Sequence, residues 1–347
     1  MLGQSLPLSG PSAQLGLEYR RGAQAWFDAV NRDGGIHGRR IKLVSLDDQY
    51  EPEQTLANTR QLLKRSDLLA LFGYVGTPTT KVVLPLIESA AVPLVAPMTG
   101  ASLLRRADLR MVFNLRASYR REIAAMVNEL VRDAQHRIAI VYQNDAFGQD
   151  GLEGALIALR QHGLKPVLTT TVARNSDQVG DALRELKQVH PNGALIISAY
   201  VSSAALSTAL RQSGNRAQIM NVSFVGTKAL QRAMPVGESN GIGVTQVVPF
   251  PWNRWIPVVA DYQRCLQRHD VEARFGFTSL EGYLAARMIT EALERAGDAP
   301  TRASLAKALE SIQGVDFGGF RLDLSSDDHQ ASEFVELTFL GSQTWEP

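Results

Sequence analysis

Short apolar runs alternate along the chain with longer segments in which apolar residues recur every three or four positions. Residues 41–46, 68–72 and 93–96 are runs of the first kind and read as buried strands. Tyr19, Ala23, Trp26, Phe27 and Val30 have helical spacing up to the stop at Gly34-Gly35, and helices are expected over 53–64 and from Val82 to residue 91. A second series follows, with helices over 122–134, 152–162, 177–189 and 204–212 and strands over 137–142, 166–172, 194–198 and 218–222. Strict strand–helix alternation predicts parallel, doubly wound sheets that present ligand loops at the carboxyl ends of their strands, and two series predict two sheets. The proline- and aromatic-rich segment 247–255 ends the alternation. Helices are expected over 256–268, 280–296 and 302–310, then strands over 319–324 and 334–340 that return to the earlier sheets.

The strand-to-helix loop Gly73-Tyr74-Val75-Gly76-Thr77-Pro78-Thr79-Thr80 carries the clearest binding signal. Thr77 stands where an N-cap belongs and Pro78 where the first helical residue belongs. Hydroxyls, free backbone N–H groups and the positive helix end would then converge on an anion. The alternative is that Thr77 caps its own helix and nothing more. Four further groups share the same placement after a strand: Thr99-Gly100, Phe147, Tyr200 and Ser223. Taken singly, Phe147 and Tyr200 also read as packing residues and Ser223 as a helix cap. Asp47-Asp48 could form a carboxylate pair, but adjacent side chains diverge along a strand, and capping the next helix is the expected role.

Composition narrows the function classes. Of 347 residues 45% are hydrophobic and 20% charged, enough apolar material for about two domains. The formal net charge of +1 comes without a basic tract, so neither nucleic acid nor an anionic membrane surface is an expected partner. Six scattered histidines and the single Cys265 exclude an intrachain disulfide and predict no metal site. Cys265 lies in a helical pattern and reads as a small buried residue. Zinc-protease, phosphate-loop and complete dinucleotide motifs are all missing; Gly241-Ile242-Gly243 lacks its third glycine. Neither an enzyme nor a cofactor is expected. No apolar run reaches the length of a membrane span, and the opening Met1-Leu2-Gly3-Gln4-Ser5-Leu6 lacks a signal-peptide pattern, leaving the expectation that a leader has been removed.

Several stretches carry a family likeness: Pro7-Leu-Ser-Gly-Pro-Ser-Ala-Gln-Leu-Gly16, Asn31-Arg-Asp-Gly-Gly-Ile-His-Gly38, Asp47-Asp48-Gln-Tyr-Glu-Pro, Asn144-Asp-Ala-Phe-Gly148 and Glu281-Gly-Tyr-Leu-Ala-Ala-Arg287. In these the chain resembles the periplasmic solute-binding proteins of branched-chain amino acid ABC transporters, with the type I binding fold. The resemblance implies an α/β protein of two αβα doubly wound lobes joined by three crossovers, which closes around its ligand by a hinge motion well described for periplasmic binding proteins. Lobe one would take residues 1–118 and 249–325, and lobe two residues 119–248 and 326–347.

The same resemblance implies a role for each candidate. Thr77 would grip a ligand α-carboxylate, Thr99-Gly100 would form the second loop of that lobe, and Phe147 and Tyr200 would approach from the other lobe. Leu15 falls where some members place an aromatic residue beside the ligand side chain. Leucine-type members carry a glutamate at the Ser223 loop to pair with the α-ammonium, whereas Ser223, Phe224 and Val225 supply no charge. The expected function is an extracytoplasmic, periplasmic receptor, a monomer, that delivers a small carboxylate-bearing solute, an amino acid or related organic acid, to a membrane permease. The alternative is a ligand-sensing regulator of the same fold, similar to the amide sensors.

Overall fold

The computed structural model describes residues 1–341. Residues 342–347, which the sequence analysis assigns to lobe two, lie outside the described residues. The chain separates into two compact units, one of residues 1–99, 103–116 and 248–333, the other of residues 100–102, 117–247 and 334–341.

The first unit opens with β1 (Leu2–Leu6), α1 (Ala13–Arg32), β2 (Leu43–Asp47), α2 (Pro52–Leu63) and β3 (Ala70–Phe72). It continues through α3 (Thr77–Lys81), α4 (Leu84–Ser89), β4 (Leu94–Val95) and β5 (Val112–Phe113). Its five strands lie in the order β2-β1-β3-β4-β5, all parallel. Every residue of β1 and β3 is buried, as expected for parallel strands covered on both faces. The second unit contributes α5 (Tyr119–Arg132), β6 (Ile138–Gln143), α6 (Ala146–Gln161), β7 (Leu168–Val172), α7 (Gly180–Val189) and β8 (Gly193–Ile197). After these come α8 (Tyr200–Gln212), β9 (Gln218–Asn221), α9 (Thr227–Ala233) and β10 (Gly243–Gln246). The chain then returns to the first unit as α10 (Pro257–His269), α11 (Phe277–Ala296), α12 (Arg302–Glu310) and the short strands β11 (Val315–Asp316) and β12 (Arg321–Leu322). It ends the second sheet with β13 (Glu336–Phe339).

The second sheet runs β13-β10-β9-β8-β6-β7, parallel except for β13, which pairs antiparallel with β10. Thus the strand expected over 334–340 does return to an earlier sheet, but the one expected over 319–324 does not. Only Arg321 and Leu322 are extended there, and they pair with Val315 and Asp316 in a separate hairpin. The Asp316 carboxylate explains this, because it accepts from the backbone N–H groups of Gly318, Gly319 and Phe320 and closes the turn on itself.

The helix expected from Val82 is also different. Pro85 cannot donate a backbone hydrogen bond, and the segment forms two short helices, α3 and α4, on either side of Val82 and Val83. Residues 326–333 are stitched to β5: Asn114 N donates to His329 O at 2.8 Å, Ala331 N donates to Asn114 O at 2.8 Å, and the His329 ring stacks on Phe113. That pairing keeps the segment in the first unit.

Within the same unit, Arg116 and Glu281 form a bidentate pair, Nε to Oε1 and NH2 to Oε2, both at 2.8 Å, with side chains 1% and 4% exposed. Removing one partner of such a buried pair leaves the other without its counter-charge. Either Arg116→Met or Glu281→Leu alone is expected to cost about 3–5 kcal/mol of stability, and the double variant to recover most of it. A denaturant-unfolding double-mutant cycle checks this, and additive losses would refute the coupling.

Candidate functional site

In the first unit the loops after β3 and β4 are brought together. Gly73 turns the chain with φ +59°, and a Cβ there would meet the Tyr19 ring at 2.5 Å. Gly76, with φ +99°, sits against the Tyr50 ring, which a Cβ would approach to 2.1 Å. This glycine, rather than Thr77, is the N-cap of α3, and Thr77 is the first helical residue. The Thr77 hydroxyl does not cap its helix. Its Oγ1 lies 2.6 Å from Thr99 Oγ1, and both residues are buried. Thr79 and Thr80 turn their hydroxyls back to Val75 O and Gly76 O. Because α3 has only five residues, its dipole adds little, and the polar character of this loop rests on the hydroxyl pair. When Thr99 donates within that pair, Thr77 keeps its own proton for an outside acceptor.

The loop after β4 is held from behind by Tyr19, whose hydroxyl donates to Ala96 O at 2.7 Å. Burial pushes the Tyr19 phenol well above its ordinary value, and the nearby Glu281 carboxylate adds to the shift. It therefore stays a neutral donor. Leu15, in α1, is buried.

Asp47 and Asp48 diverge as expected, but neither caps α2, whose N-cap is Glu51. Asp47 Oδ1 accepts from Leu8 N at 2.8 Å and Ser9 N at 3.2 Å, and Oδ2 accepts from Ser9 Oγ at 2.5 Å, so it ties down the loop after β1. Asp48 accepts from Ser5 Oγ at 2.8 Å, Thr55 Oγ1 at 3.0 Å and Tyr50 N at 3.0 Å. It thereby positions the Tyr50 ring that lies on Gly76. Both carboxylates are instead taken up by other donors, Leu8 N, Ser9 N and Ser9 Oγ for Asp47 and Ser5 Oγ, Tyr50 N and Thr55 Oγ1 for Asp48.

In the second unit, Gly100 lies against the start of α5: its carbonyl accepts from Tyr119 N at 2.8 Å, and a Cβ there would meet the Tyr119 ring at 2.6 Å. Phe147 belongs to the first turn of α6, which begins six residues earlier than the helical spacing suggests. The reason is Asp145, which caps the helix by accepting from Phe147 N at 3.0 Å and Gly148 N at 3.4 Å. The Phe147 ring is fully buried between Tyr119 and Phe224, at centroid distances of 5.0 and 4.9 Å. Tyr200 is the first residue of α8 and buried. Ser223 opens a short 3-10 turn ending at Gly226. The structure therefore joins Thr77 with Thr99, and Gly100 with Phe147 through Tyr119.

Two features escaped the sequence reading. One is Glu122 in α5, whose Oε2 accepts from Ser223 N at 2.7 Å and Thr245 Oγ1 at 2.6 Å. The other is the Arg116–Glu281 pair, whose members are separated by 165 positions. No spacing rule reaches either, since both depend on elements distant in sequence. Among the described residues no cluster of His, Cys, Asp or Glu could hold a metal ion, and no helix is long and apolar enough to cross a membrane.

Comparison with known proteins adds an independent line. The family model described as periplasmic binding protein matches residues 2–338. The crystal structure of a possible leucine/isoleucine/valine-binding protein from Rhodopirellula baltica SH 1 superposes with a TM-score of 0.93 at 36% identity, covering 99% of this chain and 94% of that one. A substrate-binding periplasmic protein from Ralstonia solanacearum gives 0.93 at 31% identity, over 98% and 97%. Among curated proteins, the Leu/Ile/Val-binding protein homolog 7 of Brucella abortus is 23% identical over 95% of this chain and 87% of its own.

One pH effect follows from Asp48. Burial pushes its carboxyl up to about 6, above the ordinary 3.8, despite three donors that oppose the shift. A raised folded-state value means that the contribution is fully present below 3.8 and lost as pH rises through about 6. Lowering the pH from 7 to 5 should therefore stabilise the wild type relative to Asp48→Asn, by at most about 1.4 kcal/mol per pH unit. Thermal unfolding of both proteins at several pH values measures it; a Tm difference that does not move with pH would contradict the assignment.

Proposed function

Because this chain belongs to the periplasmic binding protein family, a family of binding proteins rather than enzymes, we propose that it is the solute-binding component of an ABC importer for a small carboxylate-bearing solute. The names of its relatives, leucine/isoleucine/valine-binding proteins among them, support an amino acid or a related organic acid as cargo, a periplasmic location and a membrane permease as partner. The protein acts as a monomer in this reading.

The observation that carries the proposal is the Thr77–Thr99 hydroxyl pair at the carboxyl ends of β3 and β4, 2.6 Å apart. That edge of a parallel sheet is where ligands of such folds are received. With Thr99 as the donor within the pair, a carboxylate oxygen is the natural acceptor for the Thr77 proton, and a hydrogen bond to a charged group contributes more than one between neutral groups. Thr99-Gly100, Phe147, Tyr200 and Ser223 are the remaining residues proposed to shape the site, with Gly100, Phe147 and Ser223 connected through Tyr119 and Phe224 in the second unit.

A thermal-shift screen of amino acids and non-amino organic acids tests the reading. At least one carboxylate should raise the Tm, and Thr77→Val should weaken its binding by about 10- to 100-fold, the loss of one charge-assisted hydrogen bond. The proposal fails if no carboxylate stabilises the protein or if Thr77→Val binds as well as the wild type.

A further inference from the structure

The turn that follows β2 is strained, and its strain is directed at the Thr77 loop. Gln49 and Tyr50, with φ +53° and +64°, are the only consecutive non-glycine residues of positive φ among the described residues. Side chains rarely adopt that conformation, and such strain persists only where the surroundings over-determine it, most often at sites that clamp ligands. Here two carboxylates impose it: Asp47 Oδ1 accepts from Gln49 N and Asp48 Oδ1 from Tyr50 N, both at 3.0 Å. Asp48 is itself fixed by Ser5 of β1 and Thr55 of α2. The turn seats the fully buried Tyr50 ring on Gly76, where a Cβ would come within 2.1 Å of Tyr50 Cε2. Gly76 is the joint of the two threonine loops. Its N–H donates to Met98 O at 3.2 Å, directly before Thr99, while its carbonyl accepts from Thr80 Oγ1 at 2.6 Å and Thr77 follows it.

We propose that Tyr50 is a positioning residue: pressed onto Gly76 by the left-handed turn that Asp47 and Asp48 hold, its ring keeps the Thr77 and Thr99 hydroxyls in register to receive a carboxylate. This rests on the solute-binding reading above and adds a support that lies outside both threonine loops. With no exposed surface, Tyr50 acts through Gly76 and not by touching a solute. A side chain that only filled space would lower stability without discriminating between solutes, whereas a positioning residue changes the affinity for the carboxylate in particular. Tyr50→Phe keeps the ring edge on Gly76 and should keep the wild-type selectivity. Tyr50→Met leaves an apolar side chain of adaptable shape without a rigid edge.

Titration calorimetry with L-leucine, L-valine, 4-methylpentanoate and benzoate, each against its primary amide, reads the effect. The wild type should bind at least one acid more tightly than its amide. Tyr50→Met should weaken that acid by about tenfold and its amide by less than about twofold. In a Thr77→Val background the same substitution should weaken the acid by less than about twofold further, because the group it positions is already gone. Hydrogen exchange on the wild type supplies a second reading: the bound acid should protect residues 48–51 together with 73–80, since coupling between two positions is reciprocal. Undiminished acid affinity in Tyr50→Met, equal losses on acid and amide, loss of selectivity in Tyr50→Phe, additive losses in the Thr77→Val background, or protection of 73–80 without 48–51 overturns the inference and leaves the solute-binding reading in place. The exchange result decides alone if Tyr50→Met does not fold. If no acid binds the wild type, or none binds better than its amide, the carboxylate reading fails and this inference with it.

Discussion

The Arg116–Glu281 pair is the constraint on which the arrangement of the first unit depends. Arg116 is the last residue of that unit before the chain passes to the second, and its guanidinium is taken by α11, two forked hydrogen bonds fixing both position and angle. Its carbonyl accepts from Arg105 at 2.7 Å, so the exit from β5 is held on the main chain as well. A buried ion pair contributes little net stability, but it strongly disfavours arrangements in which either charge is left alone. Its influence extends further: Tyr19 feels both charges and donates to Ala96 O in the loop that carries Thr99. The hydroxyl pair thus rests on a frame of fixed charges and neutral donors rather than on loop backbone alone.

Carboxylates take loop amides in both units; in the first, Asp47 takes those of Leu8 and Ser9 and Asp48 that of Tyr50. In the second, Asp145 takes the N–H groups of Phe147 and Gly148, and Glu122 takes that of Ser223. The positive ends of these turns are neutralised from within the protein. In the first, the hydroxyls of Thr79 and Thr80 point back to carbonyls, and Thr77 and Thr99 are left facing each other. In the second unit Phe147 is held between Tyr119 and Phe224.

Much of this fold was legible. The runs over 41–46, 137–142 and 194–198 became strands because each is a short apolar run bounded by turn residues, and the parallel order followed from the helices between them. Helix starts were less legible: α6 and α8 begin at Ala146 and Tyr200, inside stretches that read as loops, because first turns need not show apolar periodicity. Pro85 interrupts the helical spacing from Val82, and α4 starts only at Leu84.

The residue types after each strand, Thr77, Thr99, Phe147, Tyr200 and Ser223, were determined by the amino-acid sequence, as was the alternation that brings them to the same edges of their sheets. What each can do was decided only by tertiary structure. Thr77 had the spacing of a cap, yet its hydroxyl turns to Thr99, 22 positions away. The Ser223 turn carries no charge of its own, yet a carboxylate 101 positions earlier stands behind it. Local sequence specifies backbone conformation through short-range sterics and hydrogen bonding, whereas the polarity of a buried site depends on which distant side chains fill the space behind it.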